Sequence, residues 1–109
     1  MPHLAAEWSV IMKINYNREA GKLTVAIEGR IDTVTAPEFE KTLGELLDGV
    51  TELVLDMKKV DYVSSAGLRV ILKVQKVMFN QGAMKLIGVN ESVMEVFEIT
   101  GFSNILNIE

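Results

Sequence analysis

The chain has 109 residues, 49% of them hydrophobic but only 6% aromatic, so it can build one core and must build it from aliphatic side chains. Eleven Lys and Arg against 15 Asp and Glu leave a net charge of −4, and no basic run offers phosphates a surface, which argues against nucleic-acid binding. With no cysteine and a single histidine, His3, the chain lacks the residues for disulfides, zinc–thiolate sites, thiol nucleophiles or His-centred catalysis, and no metal or cofactor is expected.

No apolar stretch reaches the roughly 20 residues that a membrane helix needs. The start, "MPHLAAEWSVI", lacks the basic end and long apolar run of a secretory signal, so a soluble cytoplasmic protein is expected. Residues 1–11 read as a loosely held N-terminal extension before a well-patterned domain over 12–109. Trp8 leaves an alternative open, packing on the domain or at a dimer contact.

"MKINYN" alternates Met12, Ile14 and Tyr16 with polar residues, the period of a half-buried strand. "REAGK" turns the chain near Gly21, and "LTVAIEG" alternates again with Leu23, Val25 and Ile27, which predicts a hairpin. In "GRIDTVTAPEFEKTLGELLDG" the period changes to that of a helix. Thr35 to Glu38 spell a capping box, in which the Thr35 hydroxyl accepts from the Glu38 amide, with Val34 and Phe39 placed for a hydrophobic staple. Phe39, Leu43, Leu46 and Leu47 form one apolar stripe, and Gly49 is the expected stop.

"TELVLDM" predicts a short central strand, with Asp61-Tyr62-Val63 closing the connection after it. A second helix then runs from the serines to about Asn80, "MKLIGV" is a fourth strand, and "NESVMEVFEITG" is a helix capped by Asn90 and Gly101. The last residues, "FSNILNIE", fit a strand, a short helix or an extended tail equally well. The order β-β-α-β-α-β-α implies a single α/β domain: a four-stranded mixed sheet, antiparallel at its first pair, with helices packed on it.

"DYVSSAGLRVIL" carries the functional question. Ser64, Ser65, Ala66 and Gly67 sit where a helix begins, and a serine there is usually only a cap worth about 1 kcal/mol. Yet one cap needs one hydroxyl, and two are present. Small neighbours leave the place open to a large partner, and a helix N-terminus favours added negative charge. A phosphate there would leave the fold intact while changing the surface by about −1.5 to −2 charges. An enzymatic reading lacks a base: there is no suitable histidine, no G-x-S-x-G elbow and no phosphate-binding glycine loop, leaving only a Ser–Lys pairing with Lys58 or Lys59.

The stretch resembles the signature of the STAS family, specifically its bacterial anti-sigma factor antagonists. "VAIEGRIDTVTAPEFE", "ELVLDMKKVDYV" and "VFEITGF" match other family segments in the same order, so the resemblance covers about residues 12–108. It implies a mixed sheet with helices, and a module that binds an anti-sigma factor that is also a serine kinase. The kinase phosphorylates a serine in the small-residue tract and ends binding; a serine phosphatase restores it. Aligned on Gly67-Leu68, that serine is Ser65. Ser64 stands where the family often has Asp, and Asp32 matches an acidic loop residue. With Thr33 and Arg69 added for their placement beside Asp32 and the serines, the expected partner-binding set is Asp32, Thr33, Ser64, Ala66, Gly67 and Arg69, with no catalytic residue.

Arg69, Lys73 and Lys76 form a basic ridge along the second helix, read either as a solvated face or as a surface for an acidic partner. Met78, Met84 and Met94 read as core filling. The family often carries a further helix after the point where this chain ends, so an exposed apolar patch supporting a homodimer is expected at that edge. The alternative function is a constitutive STAS-like subunit of a transport or signalling assembly, whose serines only cap the helix. A nucleotide hydrolase is the third reading, and no catalytic set supports it.

Overall fold

The computed structural model describes residues 12–109, so the extension at 1–11, with His3 and Trp8, lies outside the described residues. Two alternating runs form the first hairpin: β1 (Met12–Glu19) and β2 (Lys22–Ile31) pair antiparallel from Met12↔Gly29 to Glu19↔Lys22. Leu23, Val25 and Ile27 are buried on one face, whereas Thr24, Ala26 and Glu28 on the other are only half-buried. β2 pairs parallel with β3 (Glu52–Val63), and β3 parallel with β4 (Ala83–Ile87), so the strands lie in chain order.

Parallel neighbours need crossovers, and here each crossover is a helix. α1 (Ala36–Leu46) joins β2 to β3, and α2 (Ser65–Gln81) joins β3 to β4. α3 (Glu91–Thr100) follows β4 and packs against β3, with the Asn90 side chain accepting from Val93 N at its start and Gly101 in the left-handed region at its end. The helices cover the apolar sheet face, where Phe39, Leu43, Ile71, Met78 and Phe97 close over Leu23, Leu53 and Leu55. Met78 and Met84 are buried and Met94 is half-buried against this core, as read from the sequence. The mixed sheet and the β-β-α-β-α-β-α order are those expected.

Several local expectations fail, each for a physical reason. Thr35 is the N-cap of α1, but its hydroxyl makes no capping bond; it donates to Arg30 O at 2.8 Å and accepts from Asp32 N at 2.9 Å. The end of β2 therefore claims the group that the capping box needed. Val34 is 64% exposed, so there is no staple to the fully buried Phe39. α1 stops at Leu46, before Gly49, and Arg18 of β1 holds its open end by donating to Leu46 O at 3.3 Å and Asp48 O at 2.6 Å.

β3 is the largest departure. It runs to Val63 and so takes in Asp61-Tyr62-Val63, which the sequence suggested were a connection. Its register against β2 slips between Ala26 and Glu28 and again between Gly29 and Arg30. Each slip breaks the period of two, so the exposed Lys58 and Lys59 look like loop residues although they are in a strand. The C-terminal segment combines its three readings: a 3-10 turn at Phe102–Asn104, an irregular stretch, and a parallel bridge from Ile108 to Leu86. That bridge, with Leu86 N donating to Asn107 O and Glu109 N to Leu86 O, both at 2.9 Å, occupies part of the edge expected to be bare. Ile99 and Ile105 remain exposed beside it.

The α2 end is tied to the preceding loop by one side chain. Gln81 Nε2 donates to Leu47 O at 2.9 Å and to Val50 O at 2.8 Å, satisfying two carbonyls that follow α1. Gln81→Ala should therefore lower stability by about 1–3 kcal/mol in urea denaturation. Phe79→Ala, which trims a side chain that is 73% exposed on the same helix, should stay within about 0.5 kcal/mol of the parent.

Candidate functional site

The ends of β2 and β3 lie side by side, with Ile31↔Val63 as their last parallel pair. Immediately beyond them the Ser64 amide donates to Ile31 O at 2.8 Å, which fixes where α2 starts. Ser64 has an extended backbone, and its Oγ accepts from Gly67 N at a long 3.4 Å while Leu68 N donates to Ser64 O at 2.9 Å. Ser64 is therefore the N-cap, and its hydroxyl is engaged. Ser65 is the first helical residue and is exposed, and its hydroxyl makes no hydrogen bond among the described residues. The paired serines thus divide into a structural one and a free one.

Gly67 is buried although it has no side chain to bury. A Cβ at this position would come within 2.7 Å of Ile31 O and 2.8 Å of Ile31 Cγ2, with Val63 Cγ1 at 3.1 Å. The glycine is what lets the first turn of α2 press against the end of β2. Ala66 is half-buried beside it and Arg69, one turn on, is exposed.

The facing wall is the loop from β2 to α1. Asp32 Oδ1 accepts from Val34 N at 3.0 Å, Thr35 N at 3.1 Å and Thr35 Oγ1 at 3.3 Å, while Oδ2 pairs with Arg30 Nε at 3.3 Å. The Thr35 amide is the chief cause that holds the Asp32 carboxyl below its ordinary value, helped by Arg30 and the Val34 amide, against an opposing effect of burial. Asp32 is thus used up in shaping the loop, and Thr33 and Val34 are left exposed at its tip. Thr33, Ala66 and Arg69 line one groove of about 250 Å³ between α1 and α2, with Glu40 and Lys73 joined across it at 3.0 Å.

The structure therefore brings Asp32, Thr33, Ser64, Ala66, Gly67 and Arg69 to one end of the sheet. The Ser–Lys pairing does not form there: Lys58 and Lys59 line a separate pocket with Asn15, Glu28 and Asp56, and Lys58 pairs with Asp56 at 3.5 Å. The basic ridge is partly neutralised, since Lys73 is held by Glu40. Sequence reasoning missed Arg30 and Tyr62, register partners whose side chains meet with the guanidinium 4.6 Å from the ring centroid. Alternation along "GRI" puts Arg30 opposite in sense to the buried Ile31, but the bulge before Tyr62 hid the second half of the pair.

The chain belongs to the STAS domain family, whose model matches residues 13–109. BtrV of Bordetella bronchiseptica, which bears the name anti-sigma factor antagonist, is 37% identical over 99 residues, spanning 89% of this chain and 85% of BtrV. The anti-sigma-B factor antagonist of Bacillus subtilis is 30% identical over 98 residues, spanning 89% and 90% of the two chains. Among solved structures, the anti-sigma factor antagonist SpoIIAA in its unphosphorylated form superimposes with a TM-score of 0.76 at 13% identity, covering 88% of this chain and 87% of that one. The phosphorylated form of this Bacillus protein gives 0.68 at 12% identity, covering 88% and 90%. At such identities the superpositions speak for the fold alone.

Two glycines separate close approach from ordinary helix propensity. Gly67→Ala forces its Cβ against a main-chain oxygen and should destabilise by about 1–3 kcal/mol, whereas Gly44→Ala, with nothing within 4 Å, should stabilise by about 0.5–1 kcal/mol. Chemical denaturation of the two variants beside the parent reads both signs. Asp32 gives a pH signature. Because its folded value is depressed below 3.8, its contribution is complete above that value and lost as pH falls through the folded one. Asp32→Asn should be less stable than the parent at neutral pH, and the gap should close on acidification below about pH 4.

Proposed function

We propose that the protein is an anti-sigma factor antagonist switched by phosphorylation of Ser65. Unmodified, it binds an anti-sigma factor that is also a serine kinase and so frees a sigma factor. Phosphorylation of Ser65 by that kinase ends binding, and a serine phosphatase restores it. The protein acts in the cytoplasm by binding, with no catalytic step of its own.

The observation that carries this reading is the division of labour between the two serines. Ser65 presents an exposed hydroxyl with no partner among the described residues, one position inside the helix that Ser64 caps. In the transfer, Ser65 Oγ bonds to the γ-phosphorus of ATP, gives up its proton and releases ADP. The product adds about −1.5 to −2 charges and three acceptor oxygens to the surface at Thr33, Ala66 and Arg69. The positive end of the α2 dipole tolerates that charge, so the domain stays folded while its partner surface changes sign. The named relatives support the partner class, since both carry the name of anti-sigma factor antagonist.

Intact-mass spectrometry after incubation with the anti-sigma kinase and ATP tests the assignment. One phosphate should appear on the parent and on Ser64→Ala, and none on Ser65→Ala. Ser64→Ala loses a cap worth about 1 kcal/mol, so its fold is checked by circular dichroism. A phosphate kept in Ser65→Ala and lost in Ser64→Ala moves the switch by one residue. No phosphate on the parent, with the kinase active on another substrate, points to a constitutive subunit instead.

A further inference from the structure

We propose that Arg69 captures the phosphate of phosphorylated Ser65 within the same helix, so that phosphorylation removes an arginine from the partner surface as well as adding negative charge. This rests on Ser65 being the modified residue. Residues four apart on a helix have Cβ atoms about 5–6 Å apart on the same face, and an acid placed N-terminal to a base at this spacing is the favourable orientation. Ser65 and Arg69 have that spacing and order within α2, and both are exposed.

Three further observations single out Arg69. It forms no ion pair among the described residues, whereas Lys73, the next cation of the ridge, is engaged by Glu40 of α1 at 3.0 Å. Glu40, the acidic residue that lines the same groove, is the one that Lys73 engages, so it does not compete for Arg69. Arg69 also lines the α1–α2 groove with Thr33 and Ala66, which belong to the proposed partner surface. Its planar fork of donors matches two phosphate oxygens at once, which a lysine cannot reproduce.

The consequence is a switch with two coupled parts. In the unmodified protein Arg69 is free to meet a carboxylate on the partner. After phosphorylation the nearer, doubly charged phosphate occupies it, the groove mouth is filled, and the partner's carboxylate faces an anion without its counter-ion. The phosphate is partly neutralised inside the helix, so the loss of binding comes from removal of a recognition residue as much as from repulsion.

The test uses the chain carrying phosphoserine at position 65, installed during translation so that no kinase is needed. Phosphorus NMR follows the second ionisation of the phosphate, ordinarily near pH 6, in the parent, in Arg69→Gln and in Lys76→Gln. Pairing with Arg69 should hold the midpoint lower in the parent than in Arg69→Gln by about 0.3 pH units or more at low salt. The difference should shrink at about 0.5 M salt, and Lys76→Gln should titrate with the parent. The proposal is overturned if Arg69→Gln, shown to be folded by its amide spectrum, titrates with the parent. It is equally overturned if Lys76→Gln shifts the midpoint as much as Arg69→Gln, since the effect is then only general charge. A kinase that fails to modify Ser65 refutes the proposed switch and leaves this titration unaffected.

Discussion

The carbonyl oxygen of Ile31 accepts from the Ser64 amide at 2.8 Å and lies where a Cβ on residue 67 would come within 2.7 Å. That one atom joins three elements: it ends β2, receives the chain as it leaves β3, and takes the first turn of α2 against it. The choice of glycine at 67 follows from it, since any side chain would push the helix start away from the sheet. The cap at Ser64 follows too, because the bond to Ile31 places that residue just before the first helical turn. With position 64 fixed as the cap, position 65 is the first helical residue and its side chain faces water.

The opposite wall of the site is built by the same economy of polar groups. Asp32 organises the β2–α1 loop with four hydrogen bonds, and Thr35 turns its hydroxyl back to the Arg30 carbonyl instead of forward to its own helix. Both side chains are consumed in holding shape, and the exposed Thr33 and Val34 are what they hold out. The exposed tip of that loop stands at the same end of the sheet as the exposed Ser65.

Much of this was legible in the sequence because local periodicity and long-range packing agree. Leu23, Val25 and Ile27 alternate and are buried, Phe39 and Leu43 keep helical spacing and are buried, and Asn90 and Gly101 cap α3 where their types predict. The small residues from Ser64 to Gly67 were recognisable as a helix start, but which serine caps depends on the Ile31 carbonyl, a partner 33 residues back in the chain. The capping box at Thr35 failed for a similar reason, its hydroxyl being claimed by a strand end. The length of β3 was hidden by two bulges, and the Arg30–Tyr62 contact depends on the register those bulges create. Side chains reaching across elements, such as Arg18 to α1 and Gln81 to the loop after it, leave no periodic trace at all.

The central claim is that the hydroxyl of Ser65 governs partner binding. Its most direct measurement is a calorimetric titration of the cognate anti-sigma factor into two forms of the chain, one unmodified and one carrying phosphoserine at position 65. Binding of the unmodified chain that weakens about tenfold or more with the phosphoserine, roughly 1.4 kcal/mol or greater, is the expected result. Equal affinity for the two forms would contradict it, and would return both serines to the role of helix start alone.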